Sequence, residues 1–240
     1  MSLFEFLFGK KTNHIEENVK SVNEGEEFEN KLLEKYGNCK LYQNFNLRIL
    51  FITDTHNCLA YKDKYLNYLK SINSSDYDIC LLLGDFSGLD LYEIKNIIPN
   101  EKMYGIVGNH DSIDLLEKNG IKNINGNVIT YKGIKIAAIM GSNKYKEGNY
   151  GMQTQEESLE LAEKMEEADI LISHDRAYIY DSKDNVHDGL KGITDYIYKN
   201  HVPIHIHGHF HEEMEEILKN GTKSIGLYQI KLLEIWYCII

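Results

Sequence analysis

The sequence predicts an α/β fold. From Leu47 onward, short apolar runs alternate with segments of helical periodicity. The runs are five or six residues long, a strand length rather than a helix length. Turn-forming Gly, Asn and Asp residues follow several of them. In order, the strand candidates are 47–52 (LRILFI), 78–83 (DICLLL), 103–107 (MYGIV), 168–173 (ADILIS) and 202–206 (VPIHI). Helix candidates lie between them at 64–72, 154–168 and 189–200. The second opens with Thr154 and Glu157, spaced as a capping box. The third places Leu190, Ile193 and Ile197 on one side. Segments 127–140 and 222–236 read as further strands in hairpins. Residues 1–45 form an N-terminal extension, partly helical, with a helix expected near 26–36 from Phe28, Leu32, Leu33 and Tyr36. Leu3, Phe4, Leu7 and Phe8 suggest a short amphipathic turn, most simply one that docks on the protein itself.

Composition narrows the class. A chain of 240 residues, 42% hydrophobic and 26% charged, can bury one substantial core. No stretch approaches the length of a membrane span. The opening "MSLFEFLFGKK" is apolar before it is basic, the wrong order for a secretory signal, so the expected location is cytoplasmic. Cys39, Cys58, Cys80 and Cys238 lack C-x-x-C spacing and read as reduced thiols rather than a disulfide framework or a thiolate metal site. A net charge of −11 disfavours nucleic acid. Arg48 and Arg176 are the only arginines, so binding of a phosphate substrate requires concentrated positive charge from elsewhere. Bound metal ions would supply that.

The residues after each run carry the chemistry. After 47–52 come Asp54 and His56; after 78–83, Asp85; after 103–107, Asn109, His110 and Asp111. After 168–173 comes His174, and after 202–206 come His209 and His211. In open α/β sheets, ligands bind beyond the carboxyl ends of parallel strands. If the five strands are parallel neighbours, these turns meet. Asp54, His56, Asp85, Asn109, His174, His209 and His211 are seven donors, too many for one tetrahedral ion. They suit two adjacent ions sharing a carboxylate. Nitrogen and oxygen donors without thiolate favour Mn, Fe or Zn, with Ni or Co as alternatives, over Ca. His205 and His207 alternate with Ile204 and Ile206 and read as packed or supporting residues. His14 and His201 carry no signal.

The ordered set Asp54-x-His56, Gly84-Asp85, Gly108-Asn109-His110-Asp111, His174 and Gly208-His209-x-His211 resembles the calcineurin-like metallophosphoesterase superfamily. The likeness spans about residues 47–236. Segments 141–157 and 186–197 resemble its small phosphodiesterase-type branch. The resemblance implies a two-sheet β-sandwich flanked by helices, with residues 46–240 as the catalytic domain. It implies two divalent or trivalent ions, one held by Asp54, His56, Asp85 and His211, the other by Asp85, Asn109, His174 and His209. Asp85 bridges them in that scheme. His110 faces the phosphate and Asp111 orients His110. A hydroxide shared by the two ions attacks phosphorus. A small phosphoester substrate follows, with a nucleotide as one candidate.

Two positions depart from the family pattern. "SHDRAY" stands where prolines are common, leaving Arg176 beside the site as a candidate phosphate contact; the plain alternative is a surface arginine. Asn57 replaces a common glycine, and Asn tolerates left-handed backbone. Tyr145 is a candidate for the wall of the substrate cleft, and His187 for a hydrogen-bonding or catalytic position near it. The leading function is a metal-dependent phosphodiesterase. Alternatives are a phosphomonoesterase, a metal-bound partner-binding scaffold with little turnover, and a nuclease, which the acidic charge disfavours. The sequence leaves the oligomeric state open.

Overall fold

The computed structural model describes residues 12–38, 45–178 and 187–237. The expected turn at Leu3–Phe8, Cys39 and Cys238 lie outside them. Two main sheets form the centre. The first has the order β13-β1-β2-β3-β4, built from β1 (Phe45–Thr53), β2 (Ile79–Leu82), β3 (Met103–Gly105), β4 (Lys122–Asn123) and β13 (Gln229–Tyr237). The second has the order β11-β12-β10-β9-β6-β5: β5 (Val128–Tyr131), β6 (Ile134–Ile139), β9 (Ile170–Ser173), β10 (Ile204–His207), β11 (Met214–Ile217) and β12 (Lys223–Gly226). Strands β7 (Ser142–Asn143) and β8 (Met152–Gln153) form a small parallel pair. The α/β two-sheet architecture is therefore as expected. The five predicted runs, however, do not lie in one sheet. Three pair in parallel in the first sheet, and β9 and β10 pair in parallel in the second.

Burial explains why the runs are continuously apolar. Along β6, Ile134, Ile136 and Ala138 join the large core shared with the first sheet, while Ala137 and Ile139 join a second core on the other face. Strand side chains alternate faces, and both faces here are covered. The second core includes Ile193, Tyr196 and Ile197 of α7 (Lys191–Lys199) and Ala162 of α6 (Gln155–Lys164). Ile204 and Ile206 face the inter-sheet core. The alternating His205 and His207 consequently face the helix side, where both are fully buried.

The N-terminal helix α1 (Thr12–Tyr36) is much longer than the expected 26–36 segment. Leu32 enters the second core, with Phe28, Leu33 and Tyr36 packed against it. Glu29 accepts a 2.9 Å hydrogen bond from Tyr198, and the Phe28 ring meets Tyr178 edge-on. Helices α2 (Cys58–Tyr61), α3 (Asp63–Ser71), α4 (Gly88–Ile97) and α5 (Leu115–Lys118) add Leu59, Leu69, Leu91, Ile94 and Leu116 to the first core.

Two expectations need correction. The 127–140 segment is a hairpin, but 222–236 is not: β12 pairs with β10 and β11, whereas β13 crosses to pair with β1 over nine residues. Gln229, at a φ of 63°, begins that crossing strand. The other correction is α4, absent from the predicted elements. Ser87 and Asp90 form its capping box, a signal that "SGLD" carried.

Two carboxylates staple the frame. Asp78 accepts from Arg48 N at 3.0 Å and Lys132 Nζ at 2.7 Å, and its carbonyl accepts from Tyr131 OH at 2.8 Å. It thereby ties β1 to the β5–β6 hairpin of the opposite sheet. Burial raises its pKa, but the Lys132 and Arg48 contacts outweigh burial and hold it below the usual carboxylate value. Asp90 is fully buried and accepts from Thr55 Oγ1 (2.8 Å), Asn57 N (2.7 Å), Leu59 N (3.0 Å) and Ala60 N (3.2 Å). It clamps the turn that presents His56.

Asp90→Ala leaves those buried donors unpaired and should lower stability by about 2–3 kcal/mol, read from urea unfolding. Asp78→Asn should cost about 1 kcal/mol at neutral pH. A depressed folded pKa stabilises above the unfolded value and stops doing so as pH falls through the folded one. The gap between wild type and Asp78→Asn should therefore close in acid, and a gap that widens there contradicts the staple.

Candidate metal centre

The seven candidate donors converge from both sheets. Asp54 and His56 follow β1, Asp85 follows β2, and Asn109 follows β3; His174 follows β9, and His209 and His211 follow β10. The backbone turns inward in an uncommon way. Asp54, His56, Asp85, His209 and His211 have φ values of 49°, 41°, 61°, 71° and 55°. Such left-handed non-glycine residues cost of the order of 1–3 kcal/mol each and cluster where function requires them. Asn57 is also left-handed, at 70°, as its side chain allows. Gly108 has a different constraint: any Cβ there would overlap the Asp85 carboxylate and the His174 ring.

In one group, the ligand atoms of Asp54, His56, Asp85 and His211 lie within 4.8 Å of one another. His56 Nε2 stands 3.0 Å from His211 Nε2, and His211 Nε2 is 3.4 Å from Asp54 Oδ1. Asp85 Oδ2 lies 3.5 Å from His56 Nε2 and 3.6 Å from His174 Nε2, so one carboxylate oxygen sits between two donor sets. The other set brings His174 Nε2 to 2.9 Å from Asn109 Oδ1, with the His209 ring centroid 5.0 Å from that of His174. His56 and His211 are exposed, so the cleft opens on their side, while Asp54, Asp85, Asn109, His174 and His209 are buried.

The donors fit a cation on two observations. Asp54 Oδ1 is buried without a hydrogen bond, an expensive state for a carboxylate oxygen unless a positive charge faces it. His174 Nδ1 faces the Leu83 carbonyl at 2.7 Å and so carries the proton. In the neutral ring, Nε2 then points a lone pair at the Asn109 amide oxygen. A cation between those acceptors resolves the conflict. Nitrogen and oxygen donors without thiolate suit Mn, Fe, Zn, Co or Ni.

Charge follows the same geometry. Burial raises the Asp54 pKa, but contacts with His211, His174, Thr53 and His209 N bring it to about 2. His211 is raised, chiefly by its contact with Asp54. Burial lowers His174, but Asp85 and Asp54 outweigh that and raise it. His110 is lowered by burial against the pull of Asp85. Its ring is 5.4 Å from that of His56, and its backbone N–H donates to Asp85 Oδ1 at 2.9 Å.

Asp111 departs from its expected role of orienting His110. Its carboxylate accepts from Asp85 N (2.7 Å), Gly108 N (2.8 Å) and Phe86 N (2.8 Å), locking the Asp85 turn to the Asn109 turn. Burial, and then the Asp85 charge, push it up to about 7 against those donors. Arg176 is not a surface residue: it is 8% exposed, with its guanidinium 4.4 Å from the Phe210 ring. Tyr145 accepts a 3.0 Å bond from Asn109 Nδ2. The His187 ring lies tilted by 33° against that of His209, their centroids 4.9 Å apart. His205 bonds Ser173 Oγ (2.7 Å) and Ser224 Oγ (2.9 Å), while His207 Nδ1 faces the Gly208 carbonyl. Asp90, Thr53 and the Leu83 carbonyl escaped the sequence reading. Only the Ser87–Asp90 capping spacing pointed to any of them, because their partners are backbone groups or distant side chains.

Solved structures are similar to this chain to different degrees. Phosphopantetheinyl hydrolase from Mycobacterium tuberculosis is 10% identical, with a TM-score of 0.54 over 77% of this chain and 95% of that one. A Thermus thermophilus protein is 12% identical, with a TM-score of 0.49 over 80% and 99%. A putative 5'-nucleotidase from Staphylococcus aureus is 14% identical, with a TM-score of 0.48 over 81% and 54%. Of these, only the hydrolase exceeds a TM-score of 0.5, and at 10% identity it speaks to the fold alone. No curated protein matches the sequence. The family model described as calcineurin-like phosphoesterase matches residues 47–213, through both donor sets, and the chain belongs to that family.

Proposed function

We propose that the protein is a dinuclear metal-dependent hydrolase of small phosphoesters, acting on phosphodiesters. The observation that carries this reading is the position of Asp85 Oδ2 between His56 and His174, which lets one carboxylate serve two ions. Asp54, His56, Asp85 and His211 would hold one ion, and Asp85, Asn109, His174 and His209 the other. When bound, the pair of ions polarises the phosphoryl group and acidifies the attacking water.

The protein's own groups do the rest. Asp85 keeps both donor sets in register through its side chain, and Asp111 keeps Asp85 in place through the backbone. His110, exposed beside His56, is placed to give a proton to the departing oxygen. Tyr145 orients the Asn109 amide so that its oxygen faces His174. Arg176, its guanidinium over the Phe210 ring, is the candidate contact to a substrate phosphate oxygen. The preference for a diester rests on the likeness of segments 141–157 and 186–197 to the phosphodiesterase-type branch, and a nucleotide remains a candidate substrate. Among the described residues no helix is long and apolar enough to cross a membrane. A cytoplasmic location fits the free, buried thiols of Cys58 and Cys80.

Chelation should abolish turnover and Mn²⁺ should restore it. The reloaded protein should hydrolyse bis(4-nitrophenyl) phosphate faster than 4-nitrophenyl phosphate. The reverse order makes it a monoesterase, and turnover of neither across metals and pH refutes the hydrolase. Asp85→Asn should lower kcat by more than about 100-fold. Its bound metal, counted by elemental analysis, should fall while the circular dichroism spectrum is retained. Unchanged metal content and rate would refute the bridging assignment.

A further inference from the structure

The loop joining β7 to β8 is registered against the turn that carries Asn109, His110 and Asp111. Ser112 bridges Tyr150, Ile113 N donates to the Asn149 carbonyl at 3.2 Å, and Gly151 N donates to the Asp111 carbonyl at 3.1 Å. A Cβ on Gly151 would overlap the Gly108 carbonyl, so the two turns are in direct backbone contact. Tyr145 closes the same junction through its bond to Asn109. Beside it opens a recess of about 470 Å³, lined by Lys144, Tyr145, Lys146, Glu147 and Thr154.

The two lysines of this recess differ. Lys144 Nζ is 3.3 Å from the Glu147 carboxylate. Lys146 Nζ lies instead over two aromatic rings, 4.1 Å from the Tyr150 centroid and 5.2 Å from that of Tyr145. Among the described residues no carboxylate is within ion-pair distance of it. The rings hold the ammonium without neutralising it. In a chain of net charge −11, a cation left without a counter-charge over the ring that bonds Asn109 calls for an anionic ligand.

We propose that this recess is a subsite for a second anionic group on the substrate, carried by the leaving alcohol. Lys146 pairs with the anion, and the Tyr145 and Tyr150 rings, each 40% exposed, cover the carbon body of the alcohol. The substrate class is a phosphoester whose leaving group bears its own carboxylate or phosphate. The assignment rests on the hydrolase reading, because His110 defines which side the leaving group takes.

Two stable phosphonates test it on the Mn²⁺-loaded full chain by titration calorimetry: phenylphosphonate and 3-carboxyphenylphosphonate. The wild type should bind the carboxylated probe about fivefold tighter, the upper range for an exposed ion pair. That preference should shrink as salt rises. Lys146→Gln should erase it and Lys146→Arg should keep it. Binding of both probes with no preference, or a preference that survives Lys146→Gln, overturns the subsite and leaves the hydrolase standing. Failure of both probes to bind, with no turnover of any phosphoester, overturns the hydrolase reading and the subsite with it.

Discussion

The site depends on one buried carboxylate. Asp85 reaches His56 and His174 with the same oxygen and accepts the His110 N–H with the other, so it touches turns from both sheets. Its own backbone sits in a left-handed conformation that an aspartate adopts only under constraint. Asp111 supplies that constraint by accepting the Asp85 and Phe86 N–H groups. Removing the outer carboxylate would free the inner one from its geometry, although Asp111 touches none of the other donors by its side chain.

The same device recurs across the molecule. Asp90 holds the His56 turn, Asp111 the Asp85 turn, and Asp78 the junction of β1 with the opposite hairpin. Asp90 and Asp111 each collect several backbone N–H groups, and Asp78 takes that of Arg48 together with Lys132 Nζ. Charge-assisted bonds of this kind outweigh neutral ones and fix loops that must not move. The strain of the left-handed donors is thereby offset by satisfied backbone groups nearby. The acidic composition of the chain is thus partly internal architecture and not only a solvated surface.

A surface so acidic would repel phosphoesters unless positive charge were concentrated near the reaction centre. Metal ions held by the two donor sets would meet that need. Arg176 does not spread its charge over the surface, being buried against Phe210. The cation poised over Tyr145 and Tyr150 lies at the margin of the same centre.

Much was legible in the chain itself. Apolar runs buried on both faces identified β1, β2, β3, β9 and β10, because continuous hydrophobicity is what a two-sided sheet demands. The donors were legible because each follows its strand within a few residues, so order along the chain matched convergence in space. His205 and His207 were separable from His209 and His211 because strand alternation turns them to the helix face. The division of five strands between two sheets was not legible, since a parallel strand looks the same in either. Nor was the crossing of β13 to β1, which depends on pairing positions as far apart in the chain as Phe45 and Tyr237. Residue types and their order thus sufficed to nominate the seven candidate donors and the family. Only the tertiary structure decided that Asp111 serves backbone rather than His110, that Asp90 clamps the His56 turn, and that Asp85 stands between the two sets. Hydrogen bonds to main-chain groups leave no side-chain pattern to read.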